Sequence, residues 1–295
     1  MKIRANGIQV EVEDSGDVSR PPVLLVMGLG MQLIAWPQAF VDALVNAGYR
    51  VIRHDNRDIG LSQHFDELGV PNLALAAIKH KLGMRLHPPY TLIDMAKDAL
   101  GVLDALAIPQ AHVVGVSMGG MIAQRMAIAA PGRVLSLTSV MSSSGARRLP
   151  SAEPRVLRAM LGRPANASHE AAIDHTTALF RLIGSPGFPL PEAELRERVR
   201  LSVARSHHPA GISRQMLAVV ADDRASALPK LRCPTLVVHG KADPLVPFAC
   251  GEDTASRIPG AQLVGVEGMG HDLPPGVVQR LLAALLPFLK SATAR

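Results

Sequence analysis

A serine flanked by two glycines is the feature of the sequence that most directly indicates chemistry. Residues 115–119 read Gly-Val-Ser-Met-Gly, after an apolar run and before a stretch with helical periodicity. In this G-x-S-x-G arrangement, a sharp turn between a strand and a helix presents the serine hydroxyl for nucleophilic attack. Glycines two residues before and after the serine let the strand and the helix approach closely. The pattern therefore predicts Ser117 as the nucleophile of an acyl-transfer reaction.

Two segments downstream of Ser117 hold the partners that a serine nucleophile requires. A hydroxyl group is a poor nucleophile at neutral pH, so it needs an adjacent base that is itself oriented by a third group. Asp243 lies a few residues after the apolar run 235–239, and His271 follows the next apolar run. The chain order Ser, Asp, His is one of the orders in which such triads occur. We therefore predict that His271 is the general base and that Asp243 orients it.

The choice of His271 and Asp243 depends on position, since the chain has 11 histidines and several other aspartates. His271 alone lies in a glycine-rich loop after the last predicted strand. Asp272 is the main alternative acid, but a residue adjacent in sequence to the histidine cannot easily fold back to bond its Nδ1 atom. Asp222 and Asp223 are weaker candidates, because they lie near the end of a long segment between two strands.

Two backbone N–H groups are the expected donors to the negative charge that develops on the substrate oxygen during acyl transfer. One is the N–H of Met118, directly after the nucleophile. The other belongs to the loop after the apolar run 23–27, where Gly28-Leu29-Gly30 gives a flexible backbone that can approach closely. We select the N–H of Leu29, with an ordinary glycine turn as the alternative interpretation.

Six short apolar runs, most of them separated by stretches with helical periodicity, must position these residues. Such runs, with turn residues at their carboxyl ends, are typical of buried strands in a mostly parallel central sheet flanked by helices. The N-terminal residues alternate between apolar and polar side chains and predict a further strand. The expected fold class is therefore α/β. The six predicted strands are 23–27, 50–53, 112–116, 136–140, 235–239 and 262–266.

The alternation of strands and helices is interrupted in the second half of the chain. Residues 142–227 contain arginine-rich helical segments and turns, and the next strand begins only after them. We interpret this segment as an inserted helical cap, or lid. The core is then formed by residues 1–141 together with residues 228–295.

A second long connection spans residues 63–89, about twice the length expected for a loop. Leu75, Ile78 and Leu82 recur there at a spacing that predicts one face of a short helix. The sequence leaves open whether this connection overhangs the site or forms a surface helix.

Charge is unevenly distributed along the chain. The formal net charge is +6, and residues 142–230 hold 13 Lys and Arg against 8 Asp and Glu. No block of five or more Lys or Arg occurs, and only 3% of the residues are aromatic, so the composition argues against binding of nucleic acid. We interpret the excess of arginine as a solvated surface, with steering of an anionic substrate as the alternative.

The sequence also indicates in which compartment of the cell the protein is expected. No segment approaches the roughly 20 uninterrupted apolar residues of a membrane span, and the N-terminal residues lack the apolar region and cleavage site of a secretory signal. We therefore expect a cytoplasmic protein with no membrane partner. Cys233 and Cys250 have neither metal-binding nor redox spacing, so we expect both to be reduced and structural.

Six segments, in this order, resemble the α/β-hydrolase superfamily across nearly the whole chain. Within it, the chain is similar to bacterial carboxylic-ester hydrolases of the aclacinomycin methylesterase type, in which the first loop reads Met-Gly rather than His-Gly, as Met27-Gly28 does here. The resemblance implies the α/β-hydrolase fold. The six segments are VMGLGMQLIAWPQAF, HDNRDIGLS, YTLIDMAKDALGVLDAL, HVVGVSMGGMIAQ, VVHGKADPLVP and GMGHDLP.

Position by position, the resemblance implies that Ser117, Asp243 and His271 form the catalytic triad. It also implies that the backbone N–H groups of Leu29 and Met118 form the oxyanion hole. The resemblance implies hydrolysis of a small or medium carboxylic ester through an acyl-enzyme intermediate, with no metal or organic cofactor. C–C bond hydrolysis or cofactor-free perhydrolysis on the same triad, and a receptor that binds a ligand without turnover, are the alternatives. Neither the substrate nor the oligomeric state follows from the sequence.

The resemblance also covers a structural turn. Asp55, Arg57, Gly60 and Ser62 match the family's D-x-R-x-x-G-x-S pattern. Asp58 stands where a glycine is common, so the pattern does not fix the detailed shape of this turn.

Overall fold

The computed structural model describes residues 1–293 and contains one eight-stranded sheet. The strands are β1 (Lys2–Ala5), β2 (Ile8–Ser15), β3 (Pro22–Val26), β4 (Arg50–His54), β5 (Ala111–Val116), β6 (Val134–Val140), β7 (Thr235–Gly240) and β8 (Gln262–Val266). Their order in the sheet is β1-β2-β4-β3-β5-β6-β7-β8. β2 pairs antiparallel with β1 and β4, and all other neighbours are parallel. This architecture confirms the predicted α/β class.

The N-terminal residues form a hairpin of two strands, where the alternating pattern predicted one. Asn6 and Gly7 connect β1 to β2, with φ of 49° and 82°. A two-residue hairpin turn needs positive φ at both positions, and Asn-Gly is a favoured pair for it. The signal for the turn was therefore present in the sequence.

Helices cover both faces of the sheet. They are α1 (Gln38–Asn46), α2 (Leu73–Lys81), α3 (Leu92–Ala105), α4 (Met118–Ala129), α5 (Pro154–Leu161), α6 (His169–Ile183), α7 (Glu192–Arg205), α8 (Pro209–Val220), α9 (Phe248–Arg257) and α10 (Pro275–Thr293). Along β3, Leu24 and Val26 share a buried cluster with α3 and α4, whereas Val23 and Leu25 share one with α1 and α10. Successive strand side chains point to opposite faces, so a strand covered on both sides is apolar throughout.

Residues 142–227 contain α5 to α8, and they connect β6 to β7. This segment has a small apolar cluster of its own, formed by Ile173, Val199 and Val203. The interpretation of the segment as a cap stays a prediction.

The connection of residues 63–89 contains α2, in which no residue is buried. Leu75 and Ile78 are 48% and 57% exposed, and Leu82, directly after the helix, is 70% exposed. Helix α2 contacts α8. The predicted helix is therefore present, but its apolar residues are largely open to solvent.

Both cysteines are free thiols. Burial raises the pKa of the Cys250 thiol to about 11 and also raises the pKa of Cys233. Both groups therefore stay protonated near neutral pH, as expected for structural cysteines. Among residues 1–293, no helix is both long enough and apolar enough to cross a membrane.

Candidate active site

Ser117 lies at the sharp turn between β5 and α4, with φ of 56° and ψ of −122°. A residue other than glycine rarely has a positive φ, and holding one there costs about 1–3 kcal/mol. The flanking glycines permit the turn. A Cβ atom on Gly115 would lie 2.2 Å from the Gly119 carbonyl oxygen, and one on Gly119 would lie 2.0 Å from the Val26 carbonyl oxygen. No larger side chain fits at either position.

The structure brings Ser117, His271 and Asp243 into one hydrogen-bonded chain. His271 Nε2 lies 2.9 Å from Ser117 Oγ, and its Nδ1 lies 2.7 Å from Asp243 Oδ2. A carboxylate only accepts hydrogen bonds, so the imidazole proton lies on Nδ1 and the Ser117 hydroxyl donates to Nε2. This arrangement allows the imidazole to take a proton from Ser117.

Asp243 is held by backbone groups of its own loop. Its Oδ1 accepts hydrogen bonds from the backbone N–H groups of Leu245 at 2.9 Å and Val246 at 2.8 Å. The side chain is fully buried. Because one carboxylate oxygen is bonded to the backbone, the other is fixed in its position facing His271.

The alternative acids are bonded elsewhere. Asp272 Oδ1 accepts a hydrogen bond from Ser185 Oγ, which in turn accepts one from the Gly270 N–H at 2.9 Å. Burial raises the pKa of Asp272. Asp222 forms ion pairs with Arg125 and Arg224. The Asp223 carboxylate accepts a hydrogen bond from the Ala225 N–H.

The loop Gly28–Gly30, which we call the oxyanion loop because it holds the predicted oxyanion donor Leu29, lies beside Ser117. A Cβ atom on Gly28 would lie 3.2 Å from Ser117 Cβ. The Gly28 carbonyl accepts a hydrogen bond from the Met31 N–H at 3.2 Å, so the N–H of Leu29, across the same trans peptide, points the opposite way. Met118 is the first residue of α4, and its N–H has no acceptor within that helix.

The geometry can be compared with known proteins. A family model for the alpha/beta hydrolase fold matches residues 21–274. The chain belongs to the α/β-hydrolase family. Rhodomycin D methylesterase DnrP of Streptomyces peucetius is 32% identical to this hydrolase over an alignment of 301 positions, which covers 95% of each chain. DauP of Streptomyces sp. strain C5, also a rhodomycin D methylesterase, has the same identity and coverage. These matches confirm the predicted family resemblance.

Solved structures resemble the hydrolase over its full length. A meta-cleavage product hydrolase from Pseudomonas fluorescens IP01 is 22% identical with a TM-score of 0.77, and the match covers 99% of this chain and 98% of that chain. The enol-lactonase from Burkholderia xenovorans LB400 is 23% identical with a TM-score of 0.76, covering 98% of this chain and 100% of that chain. At such identities the likeness is evidence for the fold alone.

His239 supports the Asp243 loop of the hydrolase, a role that was not predicted from the sequence. Its Nε2 donates to the Val246 carbonyl at 2.8 Å and lies 3.7 Å from Asp243 Oδ2. Burial lowers the pKa of His239, which keeps the ring neutral. A Cβ atom on Gly251 would lie 2.5 Å from its Nδ1, so the ring packs directly on α9. The sequence did contain a signal for this role, because His239 lies near the end of β7, four residues before Asp243.

Asp55 connects three parts of the hydrolase. Its Oδ1 accepts from the Leu33 N–H at 2.7 Å, and its Oδ2 accepts from the Leu61 N–H at 2.8 Å and from Arg205 Nη1 at 2.7 Å. Ser62 Oγ donates to the Asp55 carbonyl at 2.6 Å. The carboxylate therefore holds the chain after the oxyanion loop, the turn 55–62 and α7 together.

The structure shows how an aspartate is accommodated at position 58, where the family commonly has glycine. Its φ is 68°, a conformation that favours glycine, so the turn keeps the backbone shape that a glycine would give. The carboxylate binds Arg214 of α8 through Nε and Nη2, each at 2.7 Å, and both side chains are fully buried. Burial acts to raise the pKa of Asp58, but the hydrogen bonds that its carboxylate accepts, above all from Arg214, lower it overall. The aspartate therefore anchors residues 142–227 to the core.

The loop that contains His271 also contacts residues 142–227. The His271 N–H donates to the Ile183 carbonyl at 2.7 Å, and the Gly187 N–H donates to the Gly268 carbonyl at 2.9 Å.

Among residues 1–293, no group of three or more His, Cys, Asp or Glu side chains is arranged to hold a metal ion.

Proposed function

We propose that this hydrolase cleaves a small or medium carboxylic ester through an acyl-enzyme intermediate. The observation that supports this most is the hydrogen-bonded chain from Ser117 Oγ through His271 to Asp243, with distances of 2.9 Å and 2.7 Å. In this proposal Ser117 is the nucleophile, His271 is the general base, and Asp243 orients the imidazole and stabilises its charged form.

The reaction has two steps. Ser117 Oγ bonds to the ester carbonyl carbon while its proton passes to His271 Nε2, and the N–H groups of Leu29 and Met118 donate to the resulting oxyanion. The intermediate collapses, and the leaving alkoxide takes the proton from His271 and departs as the alcohol. Water then gives a proton to His271 Nε2 while its oxygen attacks the acyl-enzyme. The second intermediate collapses, Ser117 Oγ leaves and takes that proton back from His271, and the carboxylic acid is released. Water is the only co-reactant.

Two further features refine the proposal. The methylesterase relatives make a methyl ester the first substrate to test. Residues 142–227 contact the oxyanion loop through Gln215 and the loop that contains His271 through Ile183, which supports their role as a cap over the site.

The experiment is a substrate panel with the purified protein. Methyl, ethyl and aryl esters and lactones are assayed beside a vinylogous diketone for C–C hydrolysis and beside peroxide-dependent halogenation. We expect the highest kcat/KM on an ester, and labelling by an organophosphonate at Ser117 alone. A higher kcat/KM in the C–C or peroxide assay would contradict ester hydrolysis. A stable adduct without steady-state turnover would indicate a receptor.

A further inference from the structure

A glutamine of α8 reaches the oxyanion loop. Gln215 is fully buried, and its Oε1 accepts a hydrogen bond from the Gly30 N–H at 3.0 Å. Its Nε2 donates to the Arg57 carbonyl at 2.9 Å. The amide therefore bridges the oxyanion loop and the turn 55–62, and both of its polar ends are bonded.

The oxyanion loop needs such an external restraint because of its composition. Gly28 and Gly30 have no side chains, and glycine has a wide range of accessible backbone conformations. Gly30 has a φ of 69°, and a Cβ atom there would lie 3.1 Å from Ile212 Cγ1 of α8. Within residues 1–293, the Gly30 N–H is bonded to Gln215 and the Gly28 carbonyl to the Met31 N–H. These two bonds orient the peptide units on both sides of Leu29.

The position of Gln215 is itself fixed by its neighbour. Arg214 forms the buried ion pair with Asp58, and its Nη1 also donates to the Gly69 carbonyl at 2.7 Å. Helix α8 is thereby anchored to the turn 55–62, so the Gln215 amide has little freedom to follow a moving loop. A hydrogen bond from an anchored group can hold a donor within the narrow range that an oxyanion requires.

We propose that Gln215 is a positioning residue that holds the Leu29 N–H in the geometry for oxyanion binding. It acts through Gly30 and touches neither the substrate nor the reacting atoms. The inference rests on the proposed ester hydrolysis, because an oxyanion forms only if Ser117 attacks a carbonyl group. It assigns part of the catalytic geometry to a residue of the predicted cap, 185 positions away from Gly30.

The test is Gln215→Met, which keeps the side-chain length and removes both hydrogen bonds. Deleting an oxyanion donor costs about 10²–10³ in kcat, so misaligning one is expected to lower kcat by about 10- to 100-fold with KM changed by less than about threefold. A thionoester of the same acid and alcohol gives a second readout, since its sulfur accepts hydrogen bonds poorly. The ratio of kcat/KM for the ester to that for the thionoester should fall at least about threefold in the variant.

Gln124→Met is the matched control. Gln124 is also a fully buried glutamine; its Nε2 donates to Ser139 Oγ at 3.1 Å and its Oε1 accepts from Arg224 Nε at 2.7 Å. Neither partner belongs to the oxyanion loop. We expect this variant to lower the Tm, as Gln215→Met does, and to keep the wild-type ratio of ester to thionoester.

The proposal would be overturned if Gln215→Met kept the wild-type ratio of kcat/KM for the ester to that for the thionoester. It would also be overturned if this ratio fell equally in Gln124→Met. If Gln215→Met does not fold, Gln215→Leu, which also removes both hydrogen bonds, is interpreted in the same way. Wild-type ester turnover and organophosphonate labelling are measured first. Their absence would reject the proposed function itself, whereas their presence with an unchanged ratio would reject only the role of Gln215.

Discussion

Residues 142–227 present two different surfaces to their surroundings. Towards the core, Arg214 and Asp58 form an ion pair in which both side chains are fully buried. Towards solvent, Arg196 pairs with Glu170 and Asp174, and Arg200 pairs with Glu197, with exposures between 40% and 67%. Exposed pairs contribute little to stability, whereas removing one partner of a buried pair leaves an uncompensated charge. The same residue type therefore has different consequences on the two surfaces.

The basic residues of the segment differ in whether they have an acidic partner. Eight of the 13 basic residues within 142–230 have a carboxylate partner within 4.0 Å. The other five, for which residues 1–293 provide no such partner, are all exposed: Arg147, Arg148, Arg158, Arg163 and Lys230. The positive excess is thus a property of the outer surface. Both the solvated-surface interpretation and the steering of an anionic substrate stay predictions.

The largest expected effect separates the two acids near His271. Asp243→Asn should lower kcat by about 10⁴-fold, because an amide in place of the carboxylate favours the wrong imidazole tautomer. Asp272→Asn should lower kcat by less than about tenfold, since its carboxylate is bonded to Ser185. Steady-state kinetics of both variants, with circular dichroism to confirm folding, make the comparison. A reversed ranking would move the orienting role to Asp272.

The buried ion pair gives the largest expected effect on stability. Arg214→Met should lower the free energy of unfolding by about 3–5 kcal/mol, because it leaves the Asp58 carboxylate buried without its partner. Adding Asp58→Gly should recover at least about 2 kcal/mol, since it removes the buried charge and glycine suits a positive φ. Urea unfolding of both variants measures this. A double variant no more stable than Arg214→Met would show that the pair is not the anchor.

Two buried histidines of the sheet are expected to make the protein sensitive to acid. Burial lowers the pKa of His54 and of His112 to about 4, against about 6.5 in the unfolded chain. Between these values the unfolded state binds more protons, so stability should fall as the pH drops from 6.5 to 4, by up to about 1.4 kcal/mol per pH unit for each histidine.

Unfolding by urea at pH 7 and pH 5 tests this pH dependence. His112→Gln should reduce the loss between the two pH values, whereas His169→Gln, on the exposed side of α6, removes no buried ring and should not. An unchanged loss in His112→Gln would contradict the assignment.

The smallest effect is expected on the outer surface. Arg200→Gln breaks a pair with Glu197 in which both side chains are about half exposed. Solvent and salt screen such a pair, so we expect no measurable change in Tm or in kcat/KM at physiological ionic strength. A loss comparable with that of Arg214→Met would erase the distinction between the two surfaces.

The sequence predicted the sheet and the candidate triad because their signals are local. Apolar runs mark buried strands, and G-x-S-x-G marks one strand-to-helix turn at Ser117. The contacts of α8 have no local signal, since Gln215 and Gly30 are 185 positions apart and Arg214 and Asp58 are 156 positions apart. Periodicity likewise indicates which residues of a helix share a face, as at Leu75, but not what covers that face.

The most direct test of ester hydrolysis by this triad is kcat for Ser117→Ala. The variant removes only the hydroxyl that the geometry presents to His271 Nε2 at 2.9 Å. Losing the nucleophile should lower kcat on the best ester of the panel by about 10⁴-fold or more, while the Tm stays close to that of the wild type. A variant that keeps a tenth of the wild-type kcat would contradict the assignment of Ser117 as nucleophile.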